Sequence, residues 1–151
     1  MKILCILPIH NEEQRLNELL KDIKEYLKTN KLNIEFLLIN SASNDGSLNI
    51  IKNYKLNYIS LKKNRGVGYV FLLGLKIAKK LNYDILIQMA GNNKMSPFDI
   101  DKMLKPIFER NIDYVSGTRF RLKKNHENNP KFRILTIKFL SFLFSKVFKK
   151  R

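Results

Sequence analysis

Apolar runs of strand length alternate with amphipathic segments of helix length along the first 116 residues of this chain. Lys2–Leu7 and Ile34–Ile39 read as buried strands, because their apolar residues are nearly continuous, and Asp84–Met89 reads as a further strand. Between the first two, Glu12–Lys28 carries leucine and isoleucine at helical spacing. This alternation predicts an α/β domain with a mostly parallel sheet flanked by helices.

The remaining predicted elements continue the alternation. They are a helix from Ser47 to about Asn53, a strand at Asn57–Leu61, helices at Gly66–Lys80 and from Ser96 to about Glu109, and a fifth strand at Asp113–Ser116. Four polar segments directly follow predicted strands: His10, Asn40–Asp45, Ala90–Lys94 and Gly117–Arg119. Because ligands of parallel sheets bind at the carboxyl ends of the strands, the pattern predicts a binding site at that edge.

The chain is strongly basic, with 29 Lys and Arg against 13 Asp and Glu and a net charge of +16. Such a field favours anionic partners such as nucleotides, nucleic acid or acidic lipid head groups, unless it reflects only a coding bias toward Lys, Asn and Ile. No recognised nucleic-acid motif is present, and the aromatic residues fall in apolar patterns rather than among basic residues. Nucleic acid is therefore not the predicted partner.

The charge is concentrated at the C-terminal end, where residues 121–151 hold ten basic residues and one acidic residue. After Pro130, basic and serine side chains fall mainly on one side of a helical wheel, and phenylalanine and leucine fall mainly on the other. This pattern predicts a basic amphipathic helix that lies in a membrane interface. A helix that packs on its own domain remains the alternative. We expect residues 1–120 to form the ligand-binding domain and residues 121–151 to form this basic element.

The single cysteine, Cys5, excludes a disulfide within the chain and suits a reducing compartment. It lies in an apolar run and is predicted to be a small buried residue. The N-terminal apolar stretch reads as a buried strand rather than a signal peptide, and no stretch reaches 18 uninterrupted apolar residues. The chain is therefore predicted to be cytoplasmic and, through its basic end, peripheral on the inner face of the membrane.

Five motifs occur in order over residues 3–120. They are Pro-Ile-His-Asn-Glu-Glu at 8–13, Asn-Ser-Ala-Ser-Asn-Asp-Gly-Ser at 40–47, Asn-Arg-Gly-Val-Gly at 64–68, the loop at 90–99, and Ser-Gly-Thr-Arg-Phe at 116–120. In this order they resemble family-2 glycosyltransferases of the GT-A fold, most closely the polyprenyl-phosphate type. The resemblance implies a Rossmann-like sheet that binds a UDP- or GDP-linked sugar.

The resemblance assigns residues at the first two motifs to the nucleoside: Pro8, His10, Glu12, Asn40 and Ser41. His10 stands where the family usually has a tyrosine near the base, although it also reads as a polar loop residue. Glu12 matches a family carboxylate near the base or ribose, or serves only as a charge in the first turn of a helix. The family's Asp-Asp-Gly-Ser reads Asn-Ser-Ala-Ser at 40–43, so neutral side chains replace the aspartates.

Two arginines match family positions near the phosphates. Arg65 precedes a predicted helix and is suited to pair a phosphate bidentately, or else it is a solvated charge at the helix start. Arg119 falls where the family places an arginine beside the substrate phosphates, or else it is a surface charge. No general base is identified among the acidic residues, so no catalytic residue is assigned.

The metal motif of the family is absent. Its Asp-x-Asp would fall at Ala90, Gly91 and Asn92, where no carboxylate is available to hold Mg²⁺ or Mn²⁺. Metal dependence is therefore expected to be weak or absent, and no metal ligand is predicted. Lys94 is suited to neutralise a diphosphate directly, whereas the competing interpretation is decay of the site.

The function expected from the resemblance is transfer of a sugar to a membrane-associated acceptor, such as polyprenyl phosphate or a cell-envelope glycan. The alternative is a truncated or degenerate module that binds a nucleotide or a membrane without turnover. The chain is shorter at its C-terminal end than the family resemblance leads us to expect. The interpretations are a natural short form, a fragment or an inactive remnant. The sequence does not specify the base, the sugar, the acceptor or the oligomeric state.

Overall fold

The computed structural model describes residues 1–117 and 131–147. Its elements are β1 (Ile3–Ile9), α1 (Glu13–Thr29), β2 (Ile34–Asn40), α2 (Ser47–Asn53), β3 (Asn57–Ser60), α3 (Gly66–Lys80), β4 (Ile85–Gln88), one turn of 3-10 helix (Pro97–Asp99), α4 (Ile100–Arg110) and α5 (Lys131–Val147). The strands and helices predicted over the first 110 residues are each present, with their ends shifted by at most two residues.

The four strands form one parallel sheet in the order β3-β2-β1-β4, which confirms the predicted α/β class. β1 pairs along its whole length with β2, from Ile3 opposite Ile34 to Ile9 opposite Asn40, and its other edge pairs with β4. The chain thus adds strands first on one side of β1 and then on the other. The carboxyl ends of β1 and β4 therefore border the point where the strand order reverses, which is where open α/β sheets bind ligands.

β1 is the buried centre of the sheet, and Ile3, Leu4 and Ile6 are each no more than 1% exposed. Cys5 is fully buried as predicted, and burial raises the pKa of its thiol. From α1, five side chains are buried: Leu16, Leu19, Leu20, Ile23 and Tyr26. The apolar stripe predicted for this helix is thus its core-facing side.

Tyr26 joins α1 to three other elements. Its ring meets those of Phe36 and Phe98 edge-on, with centroids 6.1 and 5.9 Å apart, and its hydroxyl donates a 2.8 Å hydrogen bond to Asp101. Edge-on ring pairs contribute about 0.5–1.5 kcal/mol each beyond the area that they bury. These contacts fix α1 against β2 and the start of α4.

α3 approaches the sheet closely because its buried side is made of small residues. Val70, Gly74 and Ala78 are buried at a spacing of four residues. A Cβ atom at Gly74 would lie only 2.5 Å from Cδ1 of Ile6 on β1. The helix axis can come this near only because position 74 has no side chain.

The predicted fifth strand is wrong. Residues 113–116 are irregular, and within the described residues they do not join the four-stranded sheet. Asp113, Tyr114 and Ser116 are exposed, Tyr114 by 79%. A four-residue segment cannot form a strand by itself, because its backbone groups need a neighbouring strand as hydrogen-bond partner.

The chain divides into two compact units, Met1–Lys102 and Met103–Arg151, and the sheet lies entirely in the first. The second unit contains α5 in the region where a basic amphipathic helix is predicted, and the basic amphipathic character stays a prediction. Several of its apolar side chains are exposed by 40–59%: Phe139, Leu140, Phe142, Leu143 and Phe144. No helix among residues 1–117 and 131–147 has both the length and the apolar character to cross a membrane.

Candidate functional site

A cleft of about 320 Å³ opens beside the carboxyl ends of β1 and β4. Its lining residues are Pro8, Ile9, His10, Glu12, Ser41, Asn64, Gly66, Val67, Val70, Ala90, Gly91 and Asn92. They come from the ends of β1 and β2, the start of α3 and the loop after β4. Three of these four segments follow strands and the fourth begins a helix. The parallel topology brings them together at one edge of the sheet.

Seven of the residues predicted for the site line this cleft: Pro8, His10, Glu12, Ser41, Ala90, Gly91 and Asn92. Three others, Asn40, Arg65 and Lys94, belong to the same segments but do not contribute to the lining. Arg119 lies outside the described residues. Sequence reasoning missed the lining residues Ile9, Asn64, Gly66, Val67 and Val70, although Asn64 and Gly66 flank Arg65 in a motif that it had singled out.

Asn40 supports the cleft from behind. It is 1% exposed, and its side-chain amide donates a 2.9 Å hydrogen bond to the Ser60 hydroxyl on β3. Its side-chain oxygen accepts a 3.2 Å hydrogen bond from the Ser43 backbone N–H. Both polar atoms are therefore used to hold the end of β2, and contact of Asn40 with a base stays a prediction.

Ser41 connects the end of β2 to the start of α3. Its hydroxyl donates to Oδ1 of Asn64 at 3.1 Å and accepts from the backbone N–H of Arg65 at 3.2 Å. Oδ1 of Asn64 also accepts from the Gly66 N–H at 2.9 Å. Ser41 is 4% exposed, so loss of its hydroxyl would leave buried polar groups without partners.

The amino end of α3 forms a positively polarised wall of the cleft. Gly66 has a left-handed φ of 75°, which lets the chain turn sharply into the helix. The first turn contains no acidic residue, and the N-cap residue Arg65 forms no side-chain cap hydrogen bond, although Asn64 accepts from the Gly66 N–H. The N–H groups of a first helical turn have no partner within the helix, and such an end favours anions. The exposed Arg65 guanidinium precedes it and lies over the Tyr69 ring at 4.5 Å.

Side chains tie the loop after β1 to the loop after β2. The Glu12 N–H donates to the Ser47 hydroxyl at 2.9 Å, and the Glu13 N–H donates to Oδ2 of Asp45 at 3.1 Å. Burial acts to raise the pKa of Asp45, but hydrogen bonds from Ser47, Glu13 and its own backbone outweigh burial and hold the pKa below its ordinary value. Asp45 thus stabilises the turn that leads into α2.

Ala42 has a left-handed φ of 54° at the position where the family's run has glycine. A Cβ atom costs about 1–2 kcal/mol in this conformation. Glycine relieves that strain but raises the entropy of the unfolded chain by the equivalent of about 0.4–1 kcal/mol. We expect Ala42→Gly to stabilise the protein by about 0.5–1 kcal/mol, measured by urea unfolding. Ala78→Gly, in the interior of α3, should instead destabilise by about 1 kcal/mol. A loss of stability in both variants would contradict the strain at Ala42.

The loop after β4 is held by its own polar groups. Oδ1 of Asn92 accepts from the Lys94 N–H at 3.3 Å, and the Asn93 side-chain amide donates to Glu18 on α1 at 3.2 Å. A Cβ atom at Gly91 would lie 2.5 Å from the carbonyl oxygen of Pro8. Only glycine fits at that position, because the obstacle is backbone at the end of β1.

The residues of the cleft do not fit a divalent cation held by carboxylates. Ala90 and Gly91 offer no side-chain ligand, and the Asn92 oxygen already accepts a backbone hydrogen bond. Among the lining residues only Glu12 carries a carboxylate. Over residues 1–117 and 131–147, no three His, Cys, Asp or Glu side chains gather closely enough to hold a metal ion.

The fold and the cleft define a Rossmann-like α/β domain with a cleft where the strand order reverses. The family model described as glycosyl transferase family 2 matches residues 4–150. This chain therefore belongs to glycosyl transferase family 2, which confirms the resemblance seen in its motifs.

Two archaeal relatives have related names. The UDP-N-acetylglucosamine–dolichyl-phosphate N-acetylglucosaminyltransferase of Methanococcus voltae is 27% identical over 161 residues, with 93% of this chain and 62% of the relative covered. The dolichol-phosphate mannosyltransferase of Pyrococcus furiosus is 27% identical over 142 residues, with 91% of this chain and 39% of the relative covered. The chain thus spans less than two thirds of the length of either protein.

Solved structures show the same fold. Residues 1–349 of TarS from S. aureus, in complex with UDP, match with a TM-score of 0.60 and 19% identity, covering 81% of this chain and 40% of that one. Glucosyl-3-phosphoglycerate synthase from Mycobacterium tuberculosis, with Mn²⁺, UDP and glucosyl-3-phosphoglycerate, matches with a TM-score of 0.55 and 18% identity, covering 72% and 40%. The predicted GT-A fold is confirmed.

Proposed function

We propose that this chain forms the donor-binding part of a glycosyltransferase. The donor is a UDP- or GDP-linked sugar, and the acceptor is membrane-associated, such as polyprenyl phosphate or a cell-envelope glycan. The observation that carries the proposal is the cleft at the carboxyl ends of β1 and β4 of this family-2 chain. The cleft is large enough for a nucleoside, and the positive end of α3 forms part of its lining. The names of the archaeal relatives, which include dolichyl phosphate, support a lipid phosphate as the acceptor.

The cleft offers two kinds of contact to such a donor. Pro8, His10 and Glu12 form the side on which a base and ribose are recognised by packing and hydrogen bonds. The N–H groups at the start of α3 form the side that favours a diphosphate. In the transfer step, an acceptor oxygen bonds to the anomeric carbon as the bond to the diphosphate breaks. The positive side of the cleft stabilises the charge that develops on that leaving group.

A lipid phosphate acceptor fits the absence of an assigned general base. Its oxygen is already ionised at neutral pH, so no proton has to be removed before it attacks the sugar. Acidic residues such as Asp99 and Asp101 are engaged elsewhere, since Asp99 pairs with Lys102 and Asp101 accepts from Tyr26. These two carboxylates are therefore assigned structural roles rather than the role of a general base.

Calorimetric titration of the whole chain with UDP, GDP and their sugar conjugates tests donor binding. Transfer of a labelled sugar to a lipid extract then tests turnover. We expect a dissociation constant in the micromolar range, which corresponds to about 8 kcal/mol of binding free energy, and a lipid-soluble labelled product. Failure to bind any of these nucleotides would overturn the proposal.

The second candidate function is a nucleotide-binding module without turnover. The observation that favours it is the loop at residues 90–94, where carboxylates are missing and polar side chains hold the loop itself. Tight nucleotide binding with no labelled lipid product would support this candidate over the transferase.

The exposed apolar side chains of α5 suit contact with an anionic membrane surface. Phe142 and Leu143 are 55% and 40% exposed, and the ammonium of Lys146 lies 5.0 Å from the Phe142 ring centre. Apolar side chains beside cations are typical of helices that lie in the interface of acidic bilayers. Such docking would keep the protein peripheral on the inner, cytoplasmic face of the membrane.

The prediction is that Phe142→Glu combined with Leu143→Glu lowers binding to phosphatidylglycerol-containing vesicles at least tenfold in a co-sedimentation assay. Two interfacial side chains are lost and two negative charges are added beside an acidic surface. Leu72→Glu, on α3 and 58% exposed, is the matched control and should bind like the parent chain. Equal loss in the control would argue against a specific role of α5.

A further inference from the structure

The loop that follows β4 closes on itself instead of presenting metal ligands to the cleft. The Asn92 oxygen accepts from the Lys94 backbone, and the Asn93 amide occupies an oxygen of Glu18. Gly91 has its backbone against that of Pro8, so this position cannot carry a ligand side chain. A diphosphate in this cleft therefore needs another source of positive charge.

Exposed cations lie on two of the segments that line the same cleft. The loop between β3 and α3 carries Lys62, Lys63 and Arg65, all exposed, and it contains no acidic residue. Lys94 follows the lining residue Asn92 by two positions and is also exposed. Within the described part of the chain, the ion pairs are Lys102 with Asp99 and Lys105 with Glu109, and neither involves these four cations.

Lys62, Lys63 and Arg65 belong to the segment that precedes α3, and Lys94 belongs to the loop after β4. Both segments contribute lining residues, Asn64 and Gly66 from one and Ala90 to Asn92 from the other. The backbone dipoles of α3 add positive potential on the same side, with no acidic residue in the first turn to cancel it. The charge that a metal ion would supply is thus built into the chain.

We infer that in this protein Lys94, Arg65 and the amino end of α3 balance the charge of the nucleotide diphosphate in place of a divalent cation. The inference rests on the proposed function. An ammonium or guanidinium near a phosphate at the protein surface attracts it electrostatically, and salt screens that attraction. Binding should therefore be insensitive to chelators and should weaken as salt is added.

The test is calorimetric titration of the whole chain with UDP and GDP and with the corresponding nucleosides, in Mn²⁺ and in EDTA, at low and high salt. For the nucleotide that binds, we expect the affinity in EDTA to match that in Mn²⁺ within about twofold. Lys94→Ala and Arg65→Ala should each weaken diphosphate binding about fivefold to tenfold and leave nucleoside binding unchanged, since each removes one partner of a charge-assisted contact.

Two further variants sharpen the comparison. Lys80→Ala removes an exposed cation at the opposite end of α3 and should leave diphosphate binding unchanged. Ala90→Asp combined with Asn92→Asp supplies the two missing carboxylates, and this variant should bind the diphosphate more tightly in Mn²⁺ than in EDTA. Thermal unfolding of each variant, followed by circular dichroism, establishes that it is folded before its affinity is compared.

The outcomes separate this inference from the proposed function. Diphosphate binding that requires Mn²⁺ in the parent chain would overturn the inference and leave the proposed function standing. Equal weakening by Lys80→Ala and Lys94→Ala would also overturn it, because only the net charge would then matter. Absence of nucleotide binding in both Mn²⁺ and EDTA would overturn the proposed function together with the inference.

Discussion

Replacing Gly91 with valine is expected to abolish nucleotide binding in the cleft and to destabilise the protein by about 2–3 kcal/mol, the upper range for overpacking. A Cβ atom at this position lies 2.5 Å from the Pro8 carbonyl oxygen and 2.8 Å from Cγ1 of Ile9. Backbone in the central strand cannot move aside cheaply, so the loop after β4 must move instead. That loop forms one wall of the cleft, and its displacement moves the lining residues Ala90 and Asn92 away from the bound nucleotide.

The measurements are urea unfolding for stability and calorimetry for nucleotide affinity. Gly68→Ala is the control, because a Cβ atom at Gly68 meets no heavy atom within 4 Å and alanine is the better helix former. The control should be as stable as the parent chain or slightly more stable. If Gly91→Val retained parental stability and affinity, the close contact between this loop and β1 would be contradicted.

Ile6→Ala is expected to destabilise the protein by about 3–4 kcal/mol, because it opens a cavity in the centre of the sheet. Ile6 is fully buried on β1 and contacts the underside of α3 at Gly74. Gly74→Ala alone should also destabilise, since its new Cβ would lie 2.5 Å from Cδ1 of Ile6 and 3.1 Å from Cγ2. Each side chain thus occupies the space that the other would need.

The double variant distinguishes competition for space between Ile6 and position 74 from a general loss of packing. With Ile6 shortened, alanine at 74 enters the vacated space and gains about 1 kcal/mol of helix propensity over glycine. The two changes should therefore be less costly together than the sum of their separate effects, by about 1–2 kcal/mol in a double-mutant cycle. Strict additivity in urea unfolding would mean that α3 and β1 do not compete for this space.

The periodic parts of the fold were predictable because burial imposes a pattern on the residues. β1 and β2 are almost continuously apolar, as strands covered on both faces must be, and α1 repeats its leucines at helical spacing. The prediction of a strand failed at residues 113–116, where only Tyr114 and Val115 are apolar and the segment joins no strand among the described residues. Strand pairing depends on partners that local sequence does not specify.

The edge of the sheet that holds the site was predictable, but the direction of individual side chains was not. Asn40 and Ser41 are adjacent, and yet Asn40 turns toward Ser60 while Ser41 lines the cleft. Asn64 contributes to the lining because Gly66 and Ser41 both hydrogen-bond its oxygen, and those contacts depend on the tertiary structure. A spacing rule can bring these residues to one edge but cannot assign their hydrogen bonds.

The pairing of β4 with β1 has a consequence for folding kinetics. The two strands are far apart in sequence, and their start is fastened by the Lys2 N–H donating to Asp84 at 2.7 Å across 82 positions. Closing so long a segment carries a larger entropic barrier than pairing β2 with β1, and such non-local contacts slow folding. The cleft lies at the carboxyl ends of β1 and β4, whose pairing is expected to form late in folding. Ligand-binding competence should therefore be the last property that a refolding chain recovers, after the helices and the β1–β2 pair have formed.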